Sequence, residues 1–502
     1  MEKRRGHVVV FSTLEQGHLI PCFQFCLNLA HRGLAITFVT TPLNASKLNP
    51  RLQQASSNGL PIRIEQLSLP PVQGLPPGHE SCDTLPSSQM GNLYLATEQL
   101  QAPLEGLLQR LSQEDQPPTC VVGDMFTGWV TQTAVKLGFP AFTFLTSPAY
   151  GTLVYNSLWS HLPHLSTQSA DIRVPDVPFV SVDRSELSPA LQMADRSSPW
   201  HLFVSRQVKK NRLNHGHIVN TFHDLEPQMI EFMEKSTGKP VWSVGPVLPS
   251  DFINGIGISS SALSASERGK EATIEEKVCL EWLDEREAAS VIYISFGSRN
   301  LVSPAQIEQL ALGLEASGKP FIWAMRTCPQ GEGEGEGEGA WESFLPPGFQ
   351  ERTKGRGLLI PGWAPQLLIL SHPSTAAFIS HCGWNSMLES LSRGIPIICW
   401  PLAGEQFLNT KWFVHHLGVA LQVRRGEGGI VPQQEVERAV KLIMDDDEVG
   451  VHLRGRMQRL GQMARTAVSD GGTSTRNLDL LVDHILSLAQ IHPTNPSADC
   501  SL

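Results

Sequence analysis

Residues 363–406 read WAPQLLILSHPSTAAFISHCGWNSMLESLSRGIPIICWPLAGEQ. Within them 375–379 is a short apolar run that suits a buried strand, and 387–393 keeps helical spacing. Between the two lies the polar turn His381-Cys382-Gly383-Trp384-Asn385-Ser386. A strand that hands such a turn to the start of a helix exposes backbone N–H groups and the positive end of the helix dipole. That arrangement favours an anion such as a diphosphate, and Gly383 lets the backbone come close to it. His381, Asn385 and Ser386 can then donate to phosphate oxygens.

Further out, β-branched runs alternate with helical stretches, the pattern of parallel sheets with crossover helices. In the first half the runs are 7–13, 35–41, 120–125, 141–146 and 217–222; in the second they are 290–298, 321–326, 358–360, 375–381 and 396–400. A chain of 502 residues exceeds one ordinary core, so two domains are expected. The fold class is α/β, with two Rossmann-like, doubly wound domains facing across a cleft. The first spans 1–250, a flexible Gly/Ser/Ala-rich linker covers 251–276, the second spans 277–490, and a frayed tail covers 491–502. The alternating Gly and Glu of 331–339 reads as a solvated loop. Ligands of open α/β sheets sit beyond the carboxyl ends of the strands, so chemistry is sought in the loops there.

Lys and Arg number 39 against 49 for Asp and Glu, a net charge of -10 that disfavours nucleic acid and anionic lipid as partners. The first apolar run is too short for a membrane span, and 478–488, which carries Asp479, Asp483 and His484, reads as an amphipathic helix. Nine scattered cysteines without a CxxC pair fit reduced thiols and a cytoplasmic setting. Cys22 and Cys26, one helical turn apart, read as core thiols.

The 363–406 stretch closely resembles the signature box of plant secondary-product glycosyltransferases, glycosyltransferase family 1. Gln16-Gly17-His18, Thr146-Ser147 and Ser295-Phe296-Gly297-Ser298 extend the resemblance along nearly the whole chain. It implies the GT-B fold and transfer of a sugar, glucose being expected, from a uridine diphosphate (UDP) sugar to a hydroxyl of a small lipophilic acceptor. Flavonoids, other phenolics, terpenoids and hormones all remain open as acceptors. The UDP-sugar is a co-substrate, and no cofactor or metal is expected; the enzyme is expected to be a monomer.

By the same resemblance Trp363 stacks on uracil, the Ala364 backbone meets its edge, and Gln366 and Glu389 serve the ribose. His381, Asn385 and Ser386 hold the diphosphate. Trp384, Glu405 and Gln406 grip the transferred sugar, Gln406 being the position that goes with glucose, and Gly17, Thr146 and Ser298 add further contacts. Glu15 and Ala403-Gly404 depart from the family pattern.

Catalysis needs a base for the attacking hydroxyl. His18 ends the first strand-to-helix loop, and an imidazole titrating near neutrality suits that role. Asp124, at the end of its strand, can orient His18 and stabilise the imidazolium. Attack opposite the leaving group would invert the anomeric centre.

Other classes fit less well. No G-x-G-x-x-G follows the first strand of either half, against a nicotinamide dehydrogenase, and no G-x-S-x-G elbow occurs, against a serine hydrolase. A non-catalytic UDP-sugar sensor is the alternative that a nucleotide box alone allows, and it has no need of His18 with Asp124. Trp400 is expected to be a packing residue and His372 a surface one.

Overall fold

The computed structural model describes residues 6–76, 78–82, 85, 89–255, 273–297, 302–325, 340–445 and 447–491. Nine strands come from the first half: β1 (His7–Phe11), β2 (Ala35–Thr40), β3 (Ile62–Gln66), β4 (Cys120–Asp124), β5 (Ala141–Leu145), β6 (Asp171–Arg173), β7 (Ser181–Asp183), β8 (His217–Val219) and β9 (Val241–Ser243). Seven of them form one sheet in the order β3-β2-β1-β4-β5-β8-β9, while β6 and β7 pair as a separate antiparallel hairpin. The second half supplies β10 (Val291–Ser295), β11 (Phe321–Met325), β12 (Gly357–Pro361), β13 (Thr375–Ser380), β14 (Ile397–Cys399) and β15 (Ala420–Gln422), ordered β12-β11-β10-β13-β14-β15. Every pairing within these two sheets is parallel.

Burial on both faces explains why the strands read as continuous apolar runs. In β1, Val8 and Val10 pack with Leu19, Phe23 and Cys26 of the helix Gln16–Ala30. Val9 and Phe11 point the other way, onto Leu104, Leu108 and Trp129. The second sheet repeats the plan, with Ile292 and Ile294 against Leu310 and Leu314, and Tyr293 against Leu388 and Leu391. Helices therefore cover both faces of both sheets, which is the doubly wound GT-B architecture.

Two features differ from the expected boundaries. The helix Thr473–Ile491 does not stay with the second unit assigned to 277–490. Its apolar stripe Leu478, Leu481, Val482 and Ile485 joins Phe142 and Trp242 of the first sheet, and Asn477 Nδ2 donates to the Ser243 carbonyl at 3.1 Å. The connector assigned to 251–276 begins inside a helix, Ser250–Asn254, whose Phe252 and Ile253 are buried in the second half's core. The rest of that connector over 256–272, the loop 331–339 and the tail 492–502 lie outside the described residues. Among the described residues no helix is long and apolar enough to cross a membrane, and the seven described cysteines are all buried and free.

Candidate active site

His18 sits in the first turn of the helix that follows β1, its backbone N–H donating to the Glu15 carbonyl at 2.9 Å. Asp124 is the last residue of β4, and β4 pairs with β1 through Val10 and Val122, so the loops after these neighbouring strands emerge side by side. The sheet thus brings together residues 106 positions apart: His18 Nδ1 donates to Asp124 Oδ2 at 2.7 Å. Thr146, just beyond the adjacent β5, puts its hydroxyl 3.0 Å from the same nitrogen. Asp124 is fully buried, and its other oxygen accepts the Phe126 N–H at 2.9 Å, which fixes its orientation. With Nδ1 engaged twice, Nε2 is left to accept a proton.

Electrostatics raise the affinity of this imidazole for a proton. Burial alone would depress the His18 pKa, but the charge and hydrogen bond of Asp124 outweigh it, with smaller help from Glu15 and Glu405, and lift it to about 9.

In the second half β13 ends at Ser380, and Gly383 is the N-cap of the helix Trp384–Arg393. His381 lies flat in a cradle made by two glycines. A Cβ on Gly297, whose φ is +74°, or on Gly383 would come within 2.5 Å of its ring. Beside it Ser386 Oγ accepts from Gln366 Nε2 at 3.1 Å, and that amide also donates to Glu389 Oε2 at 2.6 Å. The buried Tyr293 completes the cluster by donating to Gln366 Oε1 at 3.2 Å. Next along the chain the half-buried Trp363 accepts the Thr273 N–H on its carbonyl at 3.0 Å, and Ala364 is buried.

The two sites meet. Asn385 Nδ2 donates to the Gly17 carbonyl at 2.8 Å, and Trp384 Nε1 donates to the Asn220 carbonyl at 2.7 Å. Lys411 adds an ion pair to Glu186 at 2.6 Å. These ties place the carboxyl ends of both sheets against each other.

Most expected site residues therefore gather at one junction, but three spend their side chains differently from expectation. The indole of Trp384 is buried with its N–H committed to the Asn220 carbonyl, so it ties the halves together. One N–H of Asn385 is taken by Gly17. Gln406 turns Oε1 back to accept the backbone N–H groups of Leu402 and Ala403, at 2.9 and 2.8 Å. Glu405, just before the helix Gln406–Lys411, is close enough to act on His18. Ser298 lies outside the described residues. Trp400 is a buried packing residue, whereas His372, expected at the surface, is buried and bonded to Asp284 at 3.1 Å.

Sequence reading missed Tyr293 and Asn409, whose Nδ2 holds the Cys382 carbonyl at 3.0 Å, and gave Gly297 no role beyond its place in the 295–298 motif. A tyrosine inside an otherwise aliphatic strand, Val291–Ser295, was the one local sign of the first.

Two family models match: glycosyltransferase N-terminal domain over residues 7–249, and UDP-glucoronosyl and UDP-glucosyl transferase over residues 267–451. UDP-glycosyltransferase 73E1 of Stevia rebaudiana is 37% identical over 497 residues, covering 95% of each chain. Among solved structures, Glycyrrhiza uralensis UGT73P12, complexed with glycyrrhetinic acid 3-O-monoglucuronide, matches with a TM-score of 0.83, 28% identity and 97% coverage of both chains. Phytolacca americana UGT2, complexed with UDP-2fluoro-glucose and pterostilbene, matches with a TM-score of 0.73 and 30% identity over 96% of this chain and 99% of that one. The chain belongs to the plant family 1 UDP-glycosyltransferases, and is a glycosyltransferase enzyme.

Proposed function

We propose that this enzyme transfers glucose from UDP-glucose to a hydroxyl of a small lipophilic acceptor with inversion at the anomeric carbon. The observation that carries the reading is the His18–Asp124 contact of 2.7 Å at the carboxyl end of the first sheet, one residue from the Gly17 carbonyl that meets Asn385. The acceptor hydroxyl gives its proton to His18 Nε2 as its oxygen bonds to the anomeric carbon. The bond from that carbon to the diphosphate breaks on the opposite face, and UDP carries away the electron pair. Asp124 and Thr146 are positioning residues: both hold Nδ1, and Asp124 stabilises the imidazolium.

The departing diphosphate is met by the first N–H groups of the helix Trp384–Arg393, by His381 in its glycine cradle and by Ser386. Trp363 faces uracil, and Glu389 with Gln366 faces the ribose. Glu405 and the free amide of Gln406 read the sugar. A relative solved with UDP-2fluoro-glucose and pterostilbene, and another with glycyrrhetinic acid 3-O-monoglucuronide, support a site that takes a nucleotide sugar and a small organic molecule.

The test is His18→Ala incubated with UDP-glucose and a panel of phenolic and terpenoid acceptors, with product mass and linkage determined. Transfer should slow by roughly two to four orders of magnitude while UDP affinity holds. Turnover close to that of the unmodified enzyme, or α-linked product, would overturn the mechanism.

A further inference from the structure

Cys382, between β13 and the helix Trp384–Arg393, has a φ of +68°, a conformation that residues other than glycine seldom adopt and that persists only where the surroundings impose it. Three hydrogen bonds impose it here. The Cys382 N–H donates to Ser380 Oγ at 3.1 Å, the thiol donates to the Ser380 carbonyl at 3.3 Å, and the Cys382 carbonyl accepts from Asn409 Nδ2 at 3.0 Å. The first two partners are local, whereas the third comes from a different element, the helix Gln406–Lys411. Asn409 is fully buried, and its own N–H donates to the Glu405 carbonyl at 3.0 Å. Its Oδ1 lies against the first half: a Cβ on Gly151, in the helix Ala149–His161, would stand 3.2 Å from it. One side chain thus meets the turn assigned to the diphosphate, the helix that begins at Gln406, and the half that carries the base.

A carbonyl is held only by a donor, so the amide nitrogen of Asn409 is the group that faces Cys382. In a planar trans peptide the N–H points opposite to the C=O, so drawing the Cys382 carbonyl toward Asn409 turns the Gly383 N–H the other way. Among the described residues nothing accepts that N–H. Relaxation of Cys382 to an ordinary negative φ would swing the whole peptide and misdirect both of its polar groups. Resting on the transferase reading above, we propose that Asn409 is a positioning residue for the donor. It holds the Cys382–Gly383 peptide so that the Gly383 N–H meets the diphosphate alongside the first N–H groups of the helix Trp384–Arg393. Contact with the sugar at Gln406 and contact with the diphosphate at Gly383 are then set by a single helical turn.

Uridine and UDP share the nucleoside and differ in the diphosphate, so their dissociation constants, measured by calorimetry, isolate this contact without turnover. Asn409→Ala should weaken UDP binding by about tenfold to a hundredfold, the worth of one hydrogen bond to a charged group, and leave uridine binding within about threefold. Because Asn409 is buried, Asn409→Leu, which fills the space and lacks the donor, gives the same comparison where Asn409→Ala does not fold. In a Cys382→Gly background, where glycine takes the positive φ at no steric cost, Asn409→Ala should cost UDP binding no more than about threefold. Equal losses for UDP and uridine would overturn the proposal, leaving Asn409 a general structural role. An unchanged UDP affinity, or the same loss in the Cys382→Gly background, would overturn it too. An unmodified protein that holds UDP no better than uridine would refute the diphosphate reading and the proposal with it. A loss selective for UDP in a protein that transfers no sugar would uphold Asn409 and refute the transferase chemistry.

Discussion

Removing the Asp124 carboxylate should move the pH at which transfer switches on. The His18 pKa stands at about 9 against an ordinary 6.5, and Asp124 supplies the two largest raising contributions. At pH 7 only about one imidazole in a hundred is then neutral and able to act as a base, so kcat/KM of the unmodified enzyme should climb tenfold per pH unit and level off near pH 9. In Asp124→Ala burial still lowers the pKa, and the inflection should fall to about 6.5 or below. Thr146 remains 3.0 Å from Nδ1, so the productive tautomer keeps a partner. The lost 2.5 units correspond to about 3.4 kcal/mol of basicity, of which a transition state midway through proton transfer feels about half, roughly 20-fold in rate. The variant should therefore lag by roughly 20-fold at pH 9.5 and match the unmodified enzyme within a few-fold near pH 7, where its larger neutral fraction offsets the weaker base. Initial rates from pH 5.5 to 10 with an aliphatic alcohol acceptor, whose own ionisation lies outside that range, give the comparison. Thermal melting checks the fold, because Asp124 also accepts the Phe126 N–H. An inflection that stays in place in Asp124→Ala, or an unmodified profile already level above pH 7, would refute the argument.

Glu226, buried and accepting the Ala149 and Tyr150 N–H groups at 2.9 and 2.8 Å, is pushed by burial from 4.5 up to about 7. Because its folded pKa is the higher one, its contribution is complete below pH 4.5 and is lost as pH rises through 7, about 3 kcal/mol in all. Urea unfolding should show that slope in the unmodified protein and lose it in Glu226→Gln; the same slope in both would exclude Glu226 as its source. Gly297→Ala should weaken UDP binding by about tenfold or more, since the new methyl meets the His381 ring and forces the +74° backbone to strain. Unchanged affinity by calorimetry would remove His381 from the diphosphate site. Gln406→His should erode the preference for UDP-glucose over UDP-galactose, an advantage of roughly tenfold to a few-hundredfold, because the braced carbonyl leaves one amide group to read the sugar. Competition between the two sugars in one reaction measures it, and equal incorporation by the unmodified enzyme would sink the glucose assignment.

The sheets were legible wherever both faces are buried. All ten apolar runs became strands: nine lie inside the sheets, where cover on each side makes a strand apolar throughout, and the edge β12 kept its apolar Leu358 to Ile360. Five strands escaped: the edge β3, IRIEQ, which is partly exposed and carries charge at alternate positions, and the three-residue strands β6 and β7 of the hairpin and β9 and β15 at the sheet edges. The destination of the last helix escaped for another reason. The stripe of Leu478, Leu481, Val482 and Ile485 announces a buried face but not which sheet it covers, and only packing against Trp242 and Phe142 decides that. That polar groups cluster after the buried strands was legible, because such groups in those loops stand out from the apolar runs before them. How they divide their hydrogen bonds was not, since Trp384 to Asn220 and Asn385 to Gly17 span 164 and 368 positions.

Those two long-range bonds also bear on how the reaction is positioned. Gly17 is covalently next to the base, and Asn385 is the second residue of the helix Trp384–Arg393 assigned to the diphosphate. On the proposed reading, the 2.8 Å contact helps to set the distance from the proton acceptor to the leaving group, and the Trp384–Asn220 bond ties the same helix to the first half a second time. The connector between the halves need contribute little to this alignment, because Thr473–Ile491 returns from the second half to seal against the first sheet and makes a second covalent crossing. On that reading nucleotide binding would draw on the remaining N–H of Asn385 and on the backbone at Trp384, residues already tied to the first half. Occupying the diphosphate site and fixing the base against the sugar become one event, which fits a reaction whose barrier falls mainly through positioning and preorganised charge.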